Sequence, residues 1–244
     1  MPSLCLPGLL KQVVAAEAQH VDAHIIACFD DTGLDAARAI ATKPVIGIGE
    51  ASFHAVSLVA HSFCVVTTLS RSVPLIEDNI RRYGFSHRCR RVFASDIPVL
   101  ELERPESGAS ERISEFIREG IRLGAEGIAL GCAGIAEFAS ALQRKHDIPV
   151  VDGVGAAVGL AETLIRCGLE PSKRGVWARG WTGLNDTERP LARRASNRSQ
   201  SSASNCGQSF SISTPKRSPL PFCCRTDAYA EVSPPKTSFS LARI

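Results

Sequence analysis

Two stretches 104 positions apart constrain this chain more than any other feature. VDAHIIAC at 21–28 aligns without a gap on AEGIALGC at 125–132. Each is a short apolar run that ends in a turn at a cysteine. Each follows an amphipathic segment, LLKQVVAAEAQH or SERISEFIREGIRLGA, and each precedes a second helix-forming segment. Beyond that lies an apolar run introduced by Pro-Val, KPVIGIG at 43–49 and IPVVDGV at 148–154. The cysteine and the Pro-Val pair coincide within one residue. This reads as a duplicated helix–strand–Cys–helix–strand unit, because fixed-period self-similarity reports repeated supersecondary structure.

The rest of the pattern agrees. AHIIAC, KPVIGIGE, FCVVTT, EGIALGC and IPVVDGV are short apolar runs that read as buried strands, and Pro44 introduces the second of them. TGLDAARAIAT reads as a helix that Thr32 can cap, and SVPLIEDNIRRYGF as a helix with Pro74 in its first turn. Strands alternating with helices predict an α/β fold with parallel sheets flanked by helices. The repeat predicts two similar lobes, 1–57 plus 152–184 and 58–151.

Composition excludes several classes. The longest apolar runs fall well short of the ~18 residues of a membrane span, so no membrane partner is expected. MPSLCLPGLL has no charged n-region, long apolar h-region or cleavage site, and a cytoplasmic location is the expectation. None of the nine cysteines has C-x-x-C spacing, which predicts no metal site. An odd count argues against a disulfide framework. Cys64, Cys89 and Cys167 read as small buried apolar residues, and His24, His54 and His61 as structural.

Charge divides the chain. Residues 1–170 hold 16 Lys+Arg against 21 Asp+Glu, and the remaining residues hold 12 against 4. The segment 185–244 is basic and rich in Ser, Arg and Pro without a sustained period, so it is expected to be disordered. It carries no aromatic stacking platform or nucleic-acid motif, and no nucleic-acid partner is expected.

In open parallel sheets, ligands bind at the carboxyl ends of strands, where Cys28 and Cys132 both lie, each just before a helix. Free N–H groups and the positive dipole end of a helix favour thiolate. Two cysteines on opposite sides of one substrate suit inversion of a carbon centre. One thiolate takes a proton and the other thiol returns one to the opposite face, with no cofactor. The developing enolate needs donors; the backbone at Ala133 and Gly134 and the hydroxyls of Thr67 and Thr68 are candidates. Asp30 and Asp31 either orient a substrate or cap the next helix. Glu50 is either a cleft residue or a helix-start carboxylate.

Together, ACFDDTGLDAAR, PVIGIGEA, VVTTLSRSVPLIE, LGCAG and IPVVDGV resemble the Asp/Glu/hydantoin racemase superfamily, closest to its hydantoin and allantoin racemase branch. The resemblance runs from about Leu6 to Leu184 and includes SKRG at 172–175 and TGL at 182–184. It implies two α/β lobes with the active site between them, and a last strand and helix that return to the first lobe. It implies acid/base roles for Cys28 and Cys132, and substrate contacts from Phe29, Asp30, Thr67, Thr68, Ala133 and Gly134. The implied substrate is a small molecule, a 5-substituted hydantoin or allantoin; a homo-oligomer fits by resemblance alone. Cys-Phe-Asp and Gly-Cys-Ala depart from the Cys-Asn-Thr and Gly-Cys-Thr of the glutamate and aspartate racemases, so a free acidic amino acid fits less well.

The resemblance also sets expectations for the ends. The family's opening strand, with its Asn-Pro-Asn-Thr-like turn, has no counterpart here, which predicts an incomplete first lobe with an open strand edge. The 3′ end reads as frame-shifted and the start as misplaced. The rival readings are a decarboxylase or isomerase of the same superfamily, an inactive relic or binding module, and a redox dithiol. The last requires Cα atoms within about 7 Å.

Overall fold

The computed structural model describes residues 5–102, 104 and 107–178, and the backbone of 209–212. The first half runs α1 (Leu6–Glu17), β1 (Ala23–Ile26), α2 (Leu34–Ile40), β2 (Val45–Gly47) and α3 (Ile48–Val59). The middle runs β3 (Phe63–Thr67), α4 (Val73–Arg82) and β4 (Cys89–Ala94). Then come α5 (Ala109–Arg122), β5 (Gly127–Gly131), a 3₁₀ helix (Ala133–Phe138), α6 (Ala139–His146), β6 (Val150–Asp152) and α7 (Gly153–Arg166). A last strand, β7, spans Ser209–Ile212.

The strands form two sheets, β2-β1-β7 and β4-β3-β5-β6. The second is parallel throughout, and its central strands FCVVT and GIALG are buried along their whole length. Near-continuous apolar runs are what helices on both faces of a parallel sheet require.

The repeat extends to the register. In the first sheet His24, Ile25 and Ile26 pair with Val45, Ile46 and Gly47; in the second Ile128, Ala129 and Leu130 pair with Val150, Val151 and Asp152. Every residue of one ladder maps on its counterpart in the other. The equivalent helices α3 and α7 start at equivalent residues and pack on each other. Their starts approach so closely that a Cβ on Gly153 would lie 2.5 Å from the Ile48 carbonyl oxygen.

One core joins the sheets. Ile25 and Ile46 from the first and Val65 and Ala129 from the second share a cluster with Phe29, Phe53, Phe63 and Phe85. Burying each such side chain contributes roughly 1.5–3 kcal/mol. A smaller cluster, with Leu9, Val13, Leu34 and Ala37, fixes α1 and α2 to β1 and β2. Glu17 ties the same region together: its carboxylate meets His24 Nε2 at 2.9 Å and accepts the Thr42 amide at 2.9 Å, the Lys43 amide at 3.2 Å and the Thr42 hydroxyl. Burial pushes this carboxyl up, but those hydrogen bonds outweigh it and bring its pKa to about 2.

The structure corrects several expectations. The strand read in KPVIGIGE stops at Gly47, and α3 begins at once. Thr32 does not cap α2; Gly33 occupies that position in a left-handed conformation, φ 80°. The β1 edge expected to be open pairs antiparallel with 209–212, so the first sheet is mixed and part of the tail forms a strand. Other readings of 179–244 lie outside the described residues. β6 pairs with β5 in the second sheet, and α7 packs back onto β1, β2 and α3. Among the described residues no helix is long and apolar enough to cross a membrane.

Candidate active site

Each cysteine lies two positions past the last residue of the equivalent ladder, Ile26 in β1 against β2 and Leu130 in β5 against β6. Cys28 packs against the α1/α2 cluster and Cys132 against the core beneath α5 and α6; both are half-buried. None of the described cysteines forms a disulfide.

Cys132 has extended backbone, φ −161° and ψ 141°, and caps the 3₁₀ helix. The Gly134 amide and the Thr68 hydroxyl are the groups that favour its thiolate. Burial pushes the thiol above its ordinary range, those two donors pull it down, and the Asp30 carboxylate pushes it up again. Asp30 belongs to the Cys28 turn. Its charge bears on the Cys132 thiol, so the electrostatics of the two cysteine turns are linked. Val99 and Leu102 cover the Cys132 turn: a Cβ on Gly134 would lie 3.2 Å from Val99, 3.3 Å from Leu102 and 3.7 Å from the Cys132 sulfur.

The Cys28 turn is held from the other lobe. Asp30 accepts from the Ser72 hydroxyl at 3.2 Å, and its backbone carbonyl accepts from Asn79 Nδ2 at 2.8 Å. Burial raises the Asp30 carboxyl, while Ser72 and the Arg71 charge oppose it. Asp31 is buried and left-handed, φ 49°. It accepts from the Gly49 amide at 3.1 Å, the Glu50 amide at 2.8 Å and the Tyr83 hydroxyl at 2.9 Å. Asp31 therefore caps α3 rather than α2, the next helix, and burial still pushes its carboxyl up to about 7.

The other sequence candidates separate. Thr68 reaches Cys132, but the Thr67 hydroxyl donates to the Gly131 carbonyl at 2.8 Å and locks β3 to β5. The Phe29 ring stacks edge-on against Phe53 in the core, 5.5 Å between centroids. Ala133 packs on the same core. Glu50 pairs with Arg38 at 2.5 Å, on the α2 side of α3. Sequence reasoning missed Ser72, Asn79 and Tyr83, whose polar positions on and before an amphipathic helix look like a solvated face. Among the described residues no group of three His, Cys, Asp or Glu side chains is placed to hold a metal ion. The groove between β4 and α5, lined by Arg91, Phe93, Phe116 and Glu119 among others, includes none of these site residues.

Residues 3–161 match the family model described as Asp/Glu/Hydantoin racemase. A hydantoin racemase from Rhizobium meliloti is 45% identical over 177 residues, 72% of this chain and 73% of that protein. A hydantoin racemase from Pseudomonas sp. (strain NS671) is 42% identical over 171 residues, 70% of this chain and 69% of that protein. Among solved structures, the allantoin racemase from Klebsiella pneumoniae superposes with a TM-score of 0.68 at 42% identity, covering 70% of each chain. The chain belongs to the Asp/Glu/hydantoin racemase family and is an isomerase of the racemase type.

Proposed function

We propose that this chain racemises a five-membered cyclic ureide, a 5-substituted hydantoin or allantoin, without a cofactor, using Cys28 and Cys132 as a proton-transfer pair inside the cell. The observation that carries the proposal is the duplicated cysteine turn. Two copies of one unit each deliver a cysteine at the end of a strand, and the Asp30 charge at one turn reaches the sulfur of the other.

The chemistry follows from the substrate. The ring carbon carries a weakly acidic hydrogen beside a carbonyl. A thiolate on one face takes that proton, charge moves onto the carbonyl oxygen, and the thiol on the opposite face supplies a proton. The centre is inverted, and the cysteines exchange roles for the opposite enantiomer. Two facing thiolates repel each other, so one thiolate and one thiol is the favoured state. Burial and Asp30 hold Cys132 toward its thiol form. The Gly134 amide and the Thr68 hydroxyl suit either the sulfur or the developing oxyanion, and each such donor is worth on the order of 10²-fold or more in rate. The hydantoin and allantoin racemases that the chain resembles support the substrate class.

Polarimetry on enantiopure 5-substituted hydantoins and allantoin, with the intact chain and its Cys28→Ser and Cys132→Ser variants, tests the proposal. Loss of rotation above the spontaneous rate, abolished by either substitution, is the expected result. Activity that survives either substitution would refute the pair.

A further inference from the structure

We infer that Asn79 of α4 and Tyr83, the residue at that helix's C-cap, are positioning residues that hold the Cys28 turn at its working distance from Cys132. The inference rests on the two-cysteine reading and adds to it the device that sets the spacing of the pair.

Asn79 and Tyr83 lie four residues apart, one helical turn, so they present one face to the neighbouring lobe. Asn79 Nδ2 donates to the Asp30 carbonyl at 2.8 Å, and the Tyr83 hydroxyl donates to Asp31 Oδ2 at 2.9 Å. These residues follow Cys28 directly and belong to the first lobe, whereas α4 belongs to the second. Asp31 adopts φ 49°, a left-handed conformation uncommon outside glycine, which aspartate tolerates better than most residues. Such a conformation persists only where its surroundings over-determine it. Here three donors from two helices do so. Burial and the Asp31 carboxylate push the Tyr83 phenol above its ordinary range, which keeps its proton in place as a donor.

The clamp is one-sided. The Cys132 turn is covered by Val99 and Leu102, and the groups that favour its thiolate, Gly134 and Thr68, lie within its own lobe. Loosening α4's hold therefore displaces one cysteine of the pair and leaves the other where it was. For the enantiomer that Cys132 deprotonates, proton removal continues but delivery to the opposite face fails. The carbanion is then reprotonated on the face it left, and recovered substrate gains solvent deuterium without inversion. For the enantiomer that Cys28 deprotonates, exchange and inversion fall together.

The test incubates each enantiomer of a 5-alkyl hydantoin separately with the full chain in D₂O. It compares deuterium in recovered substrate with formation of the opposite enantiomer, for wild type, Asn79→Leu, Tyr83→Phe and the double variant. The expected result is a rise in the exchange-to-inversion ratio on the order of 10-fold for one enantiomer only, largest in the double variant, since small misplacements of reacting groups cost up to 10²-fold. The ratio is a property of the folded molecules, so partial unfolding does not move it. Tyr83→Phe removes one oxygen and keeps the ring beside Phe53. Variants that lower exchange and inversion equally from both enantiomers, or that leave the ratio unchanged, overturn the inference while the two-cysteine reading stands. A wild-type chain that does neither reaction overturns both.

Discussion

The two copies of the repeated unit share a strand register and a cysteine position but differ in how the following helix is capped. In the second copy Asp152 caps its own helix, accepting the Gly155 amide at 2.6 Å. The equivalent residue in the first copy is Gly47, where a Cβ would collide with the Asp31 carboxylate. Asp31 supplies the cap from the cysteine turn instead. A local cap leaves the Cys132 turn with no part in capping α7. The remote cap welds the Cys28 turn to the β2–α3 junction, and through Tyr83 to α4. Two copies of one unit thus present equivalent thiols with different mechanical support.

The largest expected effect is on the pair itself. Cys28→Ser and Cys132→Ser should each lower racemisation by about 10²–10⁴, the typical contribution of a positioned acid or base, read by polarimetry. Next come variants that move one copy toward the other. Gly47→Asp places a second carboxylate against Asp31 and should destabilise by about 1–3 kcal/mol in chemical denaturation. Adding Asp31→Gly, which suits the left-handed backbone and removes the collision, should make the double variant more stable than Gly47→Asp alone. Gly153→Ala, which drives a methyl into the Ile48 carbonyl, should also cost about 1–3 kcal/mol.

The pH dependence separates the turns further. The Cys132 pKa is held up by burial and by Asp30 and held down by Gly134 and Thr68. Asp30→Asn should therefore move the thiol limb of the rate profile to lower pH, and Thr68→Val should move it to higher pH. Asp31 titrates near 7 when folded against an ordinary 3.8, so the folded state holds its proton more tightly than the unfolded chain. Stability should fall as pH rises through that window, and Asp31→Asn should flatten the slope. The smallest effect concerns Lys173, whose Nζ caps α2 through the Arg38 and Ala39 carbonyls at 2.6 and 3.3 Å. Lys173→Met should cost about 0.3–1 kcal/mol in thermal unfolding.

Legibility in the sequence follows local physics. The equivalent strand-end positions of Cys28 and Cys132 were readable because the repeat is carried by short-range patterns, and α5 because Ile113, Ile117 and Gly120 mark one buried face. Helix α3 escaped because Ile48, Ala51, Ser52, Phe53 and Val56 are buried while Leu58 and Val59 are exposed, which erases the polar face that reveals a period. Capping by Asp31 was half-readable. The residue type announces a cap, but the capped amides lie 18 and 19 positions away, a tertiary fact. Thr67 and Thr68 look alike in sequence. The strand's alternation of faces sends one hydroxyl to the Gly131 carbonyl and the other to Cys132. Asn79 and Tyr83 gave no signal, because a polar residue on an amphipathic helix is read as solvent-facing until a partner lobe is placed against it.

The most direct test of two cysteines serving opposite faces is deuterium exchange by the two single-cysteine variants, each assayed with both enantiomers of one 5-substituted hydantoin. Cys28→Ser should exchange one enantiomer and Cys132→Ser the other, and neither should invert its substrate. Exchange of the same enantiomer by both variants, or continued inversion by either, would contradict the account.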